Sequence, residues 1–173
     1  MKTVEKNYDV IVYDSNNITI EGETDAEGNK LTTLNGKLHV KTTGAVIKNL
    51  HLNNSTDTAV RIQGKDITID SCLVTGYNAF YMCYTSADAT IKNSTIIGEV
   101  NGVHFDGSKD GNVIIDNCDI SGWCAFAATL NCITITNSRF TESETYNGIN
   151  FYGKAKVSNT HFNEKMGIYF GLN

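Results

Sequence analysis

Asn112-Val113-Ile114-Ile115-Asp116-Asn117-Cys118-Asp119-Ile120-Ser121-Gly122 decides the fold, because close copies of its pattern lie on both sides of it. The copies begin Ala45-Val46-Ile47-Lys48-Asn49, Ile67-Thr68-Ile69-Asp70-Ser71, Ala89-Thr90-Ile91-Lys92-Asn93, Ile133-Thr134-Ile135-Thr136-Asn137 and Ala155-Lys156-Val157-Ser158-Asn159. Their anchor column is Asn49, Ser71, Asn93, Asn117, Asn137 and Asn159, advancing in steps of 22, 22, 24, 20 and 22 residues. A repeat of this length marks an architecture of stacked units, each touching mainly its neighbours.

Working outward, each repeat holds three short alternating runs. The anchor strand comes first, and a second run follows it directly, as in Cys72-Leu73-Val74, Cys118-Asp119-Ile120 and Ser138-Arg139-Phe140. A third opens the following coil, as in Ala79-Phe80-Tyr81-Met82-Cys83 and Gly102-Val103-His104-Phe105-Asp106. Strand side chains alternate between faces, so Val60, Phe80, Val103, Phe126, Ile149 and Ile168 form one inward column. Ile62, Met82, Phe105, Ala128, Phe151 and Phe170 form the next. β-branched alternation punctuated by Gly, Asn and Ser excludes a helical solenoid. The predicted fold is therefore all-β: a single-stranded parallel β-helix of about six coils, each ~22 residues. Residues 33–173 carry it. Residues 1–32 are expected to supply an N-terminal strand or cap and a first irregular coil, in which Gly22–Lys30 is a polar surface insertion or hairpin.

The chain has 173 residues, 40% hydrophobic and 19% charged, with 15 Gly and no Pro. That composition is globular, and the missing Pro suits unbroken hydrogen-bonded ladders. A net charge of −5, with Arg61 and Arg139 the only arginines, argues against nucleic acid. No apolar run reaches membrane-spanning length, and residues 2–7 are too polar for a leader. Five cysteines cannot all pair within one chain, and Cys72 and Cys118, two coils apart at ~4.8 Å per coil, lie beyond disulfide reach. Free thiols favour assembly in a reducing cytoplasm.

The Ile-x-Ile-x-Asn-x-x-Ile pattern over residues 33–171 resembles the right-handed parallel β-helix of the pectate-lyase-like superfamily. That superfamily holds polysaccharide lyases and hydrolases, phage tailspikes, surface adhesins and structural modules, so the resemblance speaks for the fold and little for the chemistry. The anchor residues Asn49, Ser71, Asn93, Asn117, Asn137 and Asn159 are similar to its internal asparagine ladder. Asn tolerates a left-handed bend and can satisfy buried backbone groups, which makes the column structural.

The outward column Glu21, Lys48, Asp70, Lys92 and Asp116 alternates in sign and continues to Thr136 and Ser158, which is expected to give register-setting ion pairs worth at most ~1 kcal/mol each. The outward face of the opening strands offers Arg61, Tyr81, His104, Asp106, Asn150, Tyr152 and Tyr169 as candidate ligand-binding residues. In enzymes of the resembled superfamily, a face of this kind carries the catalytic carboxylates. A lyase needs clustered acids and a base, and a hydrolase needs two or three facing acids. Here Asp106 stands alone beside His104, so no catalytic residue is assigned and those two are the only candidates. Tyr81, Tyr84, Tyr152, Tyr169 and Trp123 could stack on sugar rings or only cover backbone. Cys83, Cys124 and Cys132 lack metal-ligand spacing, and Gly107–Gly111 is a turn, not a phosphate loop, so neither metal nor cofactor is expected.

The chain stops soon after starting another coil at Met166-Gly167-Ile168, without a polar cap, which suggests stacking on other subunits or on a second copy. These readings together point to a non-catalytic structural or binding module in a bacteriophage virion (fibre, tailspike or capsid-associated), assembled in the host cytoplasm. The alternatives are an exported carbohydrate-binding or adhesin fragment at the cell surface, or a polysaccharide lyase or glycoside hydrolase whose further acids come from the Gly22–Lys30 insertion.

Overall fold

A computed structural model describes residues 4–7, 9–13, 15–83, 88–142, 149–163 and 168–171. Of these, side chains are described except at 4–7, 83, 107–109, 142, 168 and 170. Seventeen strands run through the described residues, with no helix among them. Every named pairing between strands is parallel, and the stack of coils is a right-handed β-solenoid.

Three files of strands build it. The anchor file stacks Thr19–Glu21, Val46–Lys48, Ile67–Asp70 and Ala89–Lys92, then 113–116, 133–136 and 155–158. The second file runs through 32–35, 51–54, 73–76, 95–98, Asp119–Gly122, Arg139–Glu142 and His161–Phe162. The opening file runs through Leu38–Val40, 60–62, 80–82, 103–105, 126–128, 149–151 and Ile168–Gly171.

Val4–Asn7, Val10–Val12 and Thr19–Glu21 pair in parallel with 32–35, Leu38–Val40 and Val46–Lys48, so the N-terminal segment contributes one strand to each file. The insertion after Glu21 is a small hairpin. Thr24 bridges Lys30 antiparallel, while the Asp25 carboxylate accepts the amides of Glu27 and Asn29.

The predicted core columns stand in register. Val60, Phe80, Val103, Phe126 and Ile149 succeed one another, as do Ile62, Met82, Phe105, Ala128 and Phe151. All ten are buried. The rings interlock down the axis: Phe105 meets Phe80 and Phe126 edge-on at 6.1 and 5.9 Å between centroids, and Phe126 also meets Phe140 at 6.4 Å. Such pairs add roughly 0.5–1.5 kcal/mol beyond the area they bury. Ile168 and Phe170 hold the expected backbone register, but their side chains lie outside the described set. The Gly107–Gly111 stretch stays within the strand pairing, with register shifts on both sides of Ser108.

What turns the chain after each anchor strand from Val46–Lys48 onward is a left-handed residue. Asn49, Ser71, Asn93, Asn117, Asn137 and Asn159 have φ of 58, 53, 50, 51, 52 and 45°, a region Asn adopts more readily than other side-chain-bearing residues. The backbone then crosses to the next sheet, and the residue that follows turns inward. Ser94 and Ser138, buried there, accept the N–H of Cys72 and Cys118 one coil earlier, both at 3.1 Å, and donate to the carbonyls of Lys92 and Thr136.

Phe126→Ala is expected to destabilise the chain by about 3–5 kcal/mol in urea titration. At the bend, Asn117→Gly should be nearly neutral, while Asn117→Val should cost about 1–2 kcal/mol because a β-branched side chain clashes in the left-handed region.

Candidate functional site

Two faces of the solenoid present polar side chains in file. On the opening face the outward residues are His39, Arg61, Tyr81, His104, Ala127, Asn150 and Tyr169, one per coil. The Arg61 guanidinium lies 5.7 Å from the centre of the Tyr81 ring, and Tyr81 meets His104 edge-on at 5.3 Å. Tyr152 meets Tyr169 at 5.8 Å. These are stacking contacts between neighbours along the coil axis, and they tie the aromatic rings to the protein itself. Trp123 and Tyr169 keep 40% and 48% exposure, enough to meet a partner. Tyr84 and the Cys83 side chain lie outside the described residues.

His104 and Asp106 lie two residues apart on one strand, and no hydrogen bond or ion pair joins them among the described residues. His104 is half-buried against Tyr81, and burial holds its imidazole below the ordinary value of 6.5, with Asp106 opposing that shift. Asp106 is exposed. The Asn150 amide oxygen is buried and, among the described residues, has no hydrogen-bond partner.

The Gly22–Lys30 insertion does not supply acids beside Asp106. Gly28, Asn29 and Lys30 instead line a hollow with His51, Ser71 and Cys72, at the corner between the anchor and second files. The insertion leaves the chain directly after an anchor strand, and that connection fixes it at this corner.

The anchor face is a chain of mutually satisfied groups. Lys48 pairs with Glu21 at 2.9 Å and Lys92 with Asp70 at 3.2 Å, while Asp116 accepts from the Thr136 hydroxyl and from Asn137 Nδ2. The Asn137 bond to Asp116 spans 2.8 Å. The Thr136 and Asn137 bonds hold the Asp116 carboxyl below the usual carboxylate range. For Asp70, burial works the other way, but bonds from Asn93 and Ser71 and the Lys92 ammonium prevail and lower it.

The anchor amides also bond along the axis, Asn117 donating to Asn93 at 2.9 Å and Asn159 to Asn137 at 2.6 Å. They do so on the outside. Asn93, Asn117, Asn137 and Asn159 are exposed, which corrects the expectation of an internal ladder serving buried backbone groups. Ser94 and Ser138, which the sequence reading passed over, do that work. The signal was available: the position after each anchor from Ser71 onward reads Cys72, Ser94, Cys118, Ser138 and Thr160, all small and able to hydrogen-bond.

These amides form one wall of an open polar groove of about 650 Å³ that follows the coil axis. Ser94, Cys118, Ser138 and Thr160 make the floor, and Thr95, Asp119, Arg139 and His161 the other wall. Sequence reasoning placed these last four on the second strand run but gave them no role.

A family model described as "Right handed beta helix region" matches residues 36–171. The chain belongs to the right-handed beta helix family. Like that model, the solved structure of Escherichia coli YbhC shares its fold: TM-score 0.68 at 13% identity, over 92% of this chain and 62% of that one. This right-handed beta helix thus spans less than two thirds of YbhC, and the likeness is one of fold. A comparison with curated proteins gives no match.

Burial also holds the imidazoles of His39 and His51 below 6.5, with the Gln63 hydrogen bond opposing the shift in His39. For a depressed imidazole the unfolded chain takes up its proton first as pH falls. Stability is therefore complete above about pH 6.5 and declines as pH drops through that value toward the folded pKa. Melting temperature followed by circular dichroism should fall between about pH 7 and pH 5. His104→Gln should flatten part of that slope. The lowered carboxyls of Asp70 and Asp116 add a separate loss only at lower pH, below about 4.

Proposed function

We propose that this right-handed beta helix is a non-catalytic structural or binding module that works inside a larger assembly. The observation that carries the reading is how the outward charges are used. Glu21, Lys48, Asp70 and Lys92 pair across neighbouring coils, and Asp116 is engaged by Thr136 and Asn137. Arg61, Tyr81 and His104 stack on one another. Side chains held by their own neighbours stiffen a rod and leave little for a reacting bond.

A bacteriophage virion part, whether fibre, tailspike or capsid-associated, is the form of assembly we favour. Free cysteines support it: Cys72, Cys118 and Cys124 are buried thiols, as suits a chain folded in a reducing cytoplasm. Burial pushes the Cys72 and Cys118 thiols up to about 11, outweighing the backbone hydrogen bonds that oppose it, so they stay protonated and inert.

The test is turnover. Uronate polymers and neutral glycans incubated with the purified chain should show neither new reducing ends nor the absorbance of unsaturated uronates. Cleavage abolished by Asp106→Ala would overturn the reading in favour of a lyase or hydrolase.

A further inference from the structure

The wall of the polar groove formed by the second file carries opposite charges on adjacent coils. Its residues, in coil order, are Thr95, Asp119, Arg139 and His161, and the strand register makes them consecutive. Asp119, Arg139 and His161 are exposed, and among the described residues neither Asp119 nor Arg139 has an ion pair. A two-fold axis along the strand direction, at a height midway between the coils of Asp119 and Arg139, reverses this order. Asp119 then faces the partner's Arg139, and Arg139 faces the partner's Asp119. Thr95 faces the partner's His161, a hydroxyl opposite an imidazole.

The neighbouring rows obey the same operation. Asn117 falls opposite the partner's Asn137 and Asn93 opposite the partner's Asn159, and each primary amide can both donate and accept. In the next outward row, Ser121 faces the partner's Thr141, another pair of hydroxyls. The spacing matches by construction, because two copies of one solenoid share the same ~4.8 Å coil rise. Depressions on both sides of the Asp119–Arg139 ridge, the amide groove and a second hollow lined by Ile97, Ser121 and Thr141, leave room for side chains of a facing ridge.

We infer that the second-file face, centred between Asp119 and Arg139, is an isologous docking surface for a second copy of this chain, the two solenoids lying side by side and antiparallel. A two-fold interface must be self-complementary, and this row is so in both charge and hydrogen bonding. The contact is polar, so its strength should fall as salt is added.

Sedimentation equilibrium of the full chain tests it. The wild type should associate to a dimer at low salt and dissociate at high salt. Asp119→Arg and Arg139→Asp each turn two opposite-charge contacts into two like-charge ones, and each should weaken dimerisation roughly tenfold or more. An equimolar mixture of the two variants should recover the dimer as a heterodimer, and the double variant D119R/R139D should recover it as a homodimer. Circular dichroism melts of these exposed-site variants check that each is folded. A wild type that stays monomeric throughout, single variants that dimerise like wild type, or a mixture that fails to recombine would each overturn the inference. None of these outcomes bears on turnover, so this inference and the non-catalytic reading fail separately.

Discussion

A bend in the left-handed region, made at the same place in each coil from Asn49 onward, is the constraint on which the structure depends. An L-residue with a side chain resists that conformation, and the chain supplies Asn five times and Ser once at the bend. Because the bend recurs at the same point, the strand before it stacks on its counterpart and the strand after it does likewise. Parallel registry of both sheets then follows, and with it the alignment of inward residues into continuous columns. A coil bending one residue late would send Ile and Phe outward and polar side chains in.

The columns convert this local geometry into stability. Phe80, Phe105, Phe126 and Phe151 are buried and in contact along the axis, so burial is shared between coils and no single coil has a core of its own. The outer files are organised by the same registry. Charges that alternate along the anchor file meet opposite charges on adjacent coils, and amides that repeat at the bend meet amides. Exposed pairs of this kind contribute little energy one by one. Their effect is to penalise slippage, since a shifted coil would leave Lys48 and Lys92 without their carboxylates.

Much of this was legible in the residues. Alternation about Phe80, Phe105 and Phe126 identified the core because period-two patterning is enforced wherever one strand face is buried. Lys48, Asp70 and Lys92 announced their pairing through alternating sign. Glu21 at the head of the outward column already tied Thr19–Glu21 to Val46–Lys48, whereas the places of Val4–Asn7 and Val10–Val12 in the other two files were harder to read, because the insertion after Glu21 breaks the period. The insertion's position over the Ser71 corner was equally hidden, since it depends on which corner its strand leaves and not on its own polar composition. The groove escaped notice for a different reason. Asp119, Arg139 and His161 differ in type from coil to coil, so they show no repeat, and only the register places them on one wall.

Pulsed electron paramagnetic resonance tests the stacking most directly. Thr19, Val46, Thr68, Thr90, Ile114, Thr134 and Lys156 occupy one outward row. Spin labels attached through unnatural residues at Thr19 and Lys156 should lie about 29 Å apart, and labels at Thr68 and Lys156 about 19 Å, at ~4.8 Å per coil. Separations that grow in proportion to the number of intervening coils are the expected result. Distances that depart from about 4.8 Å per coil, or that fail to increase from the shorter pair to the longer, would contradict the account.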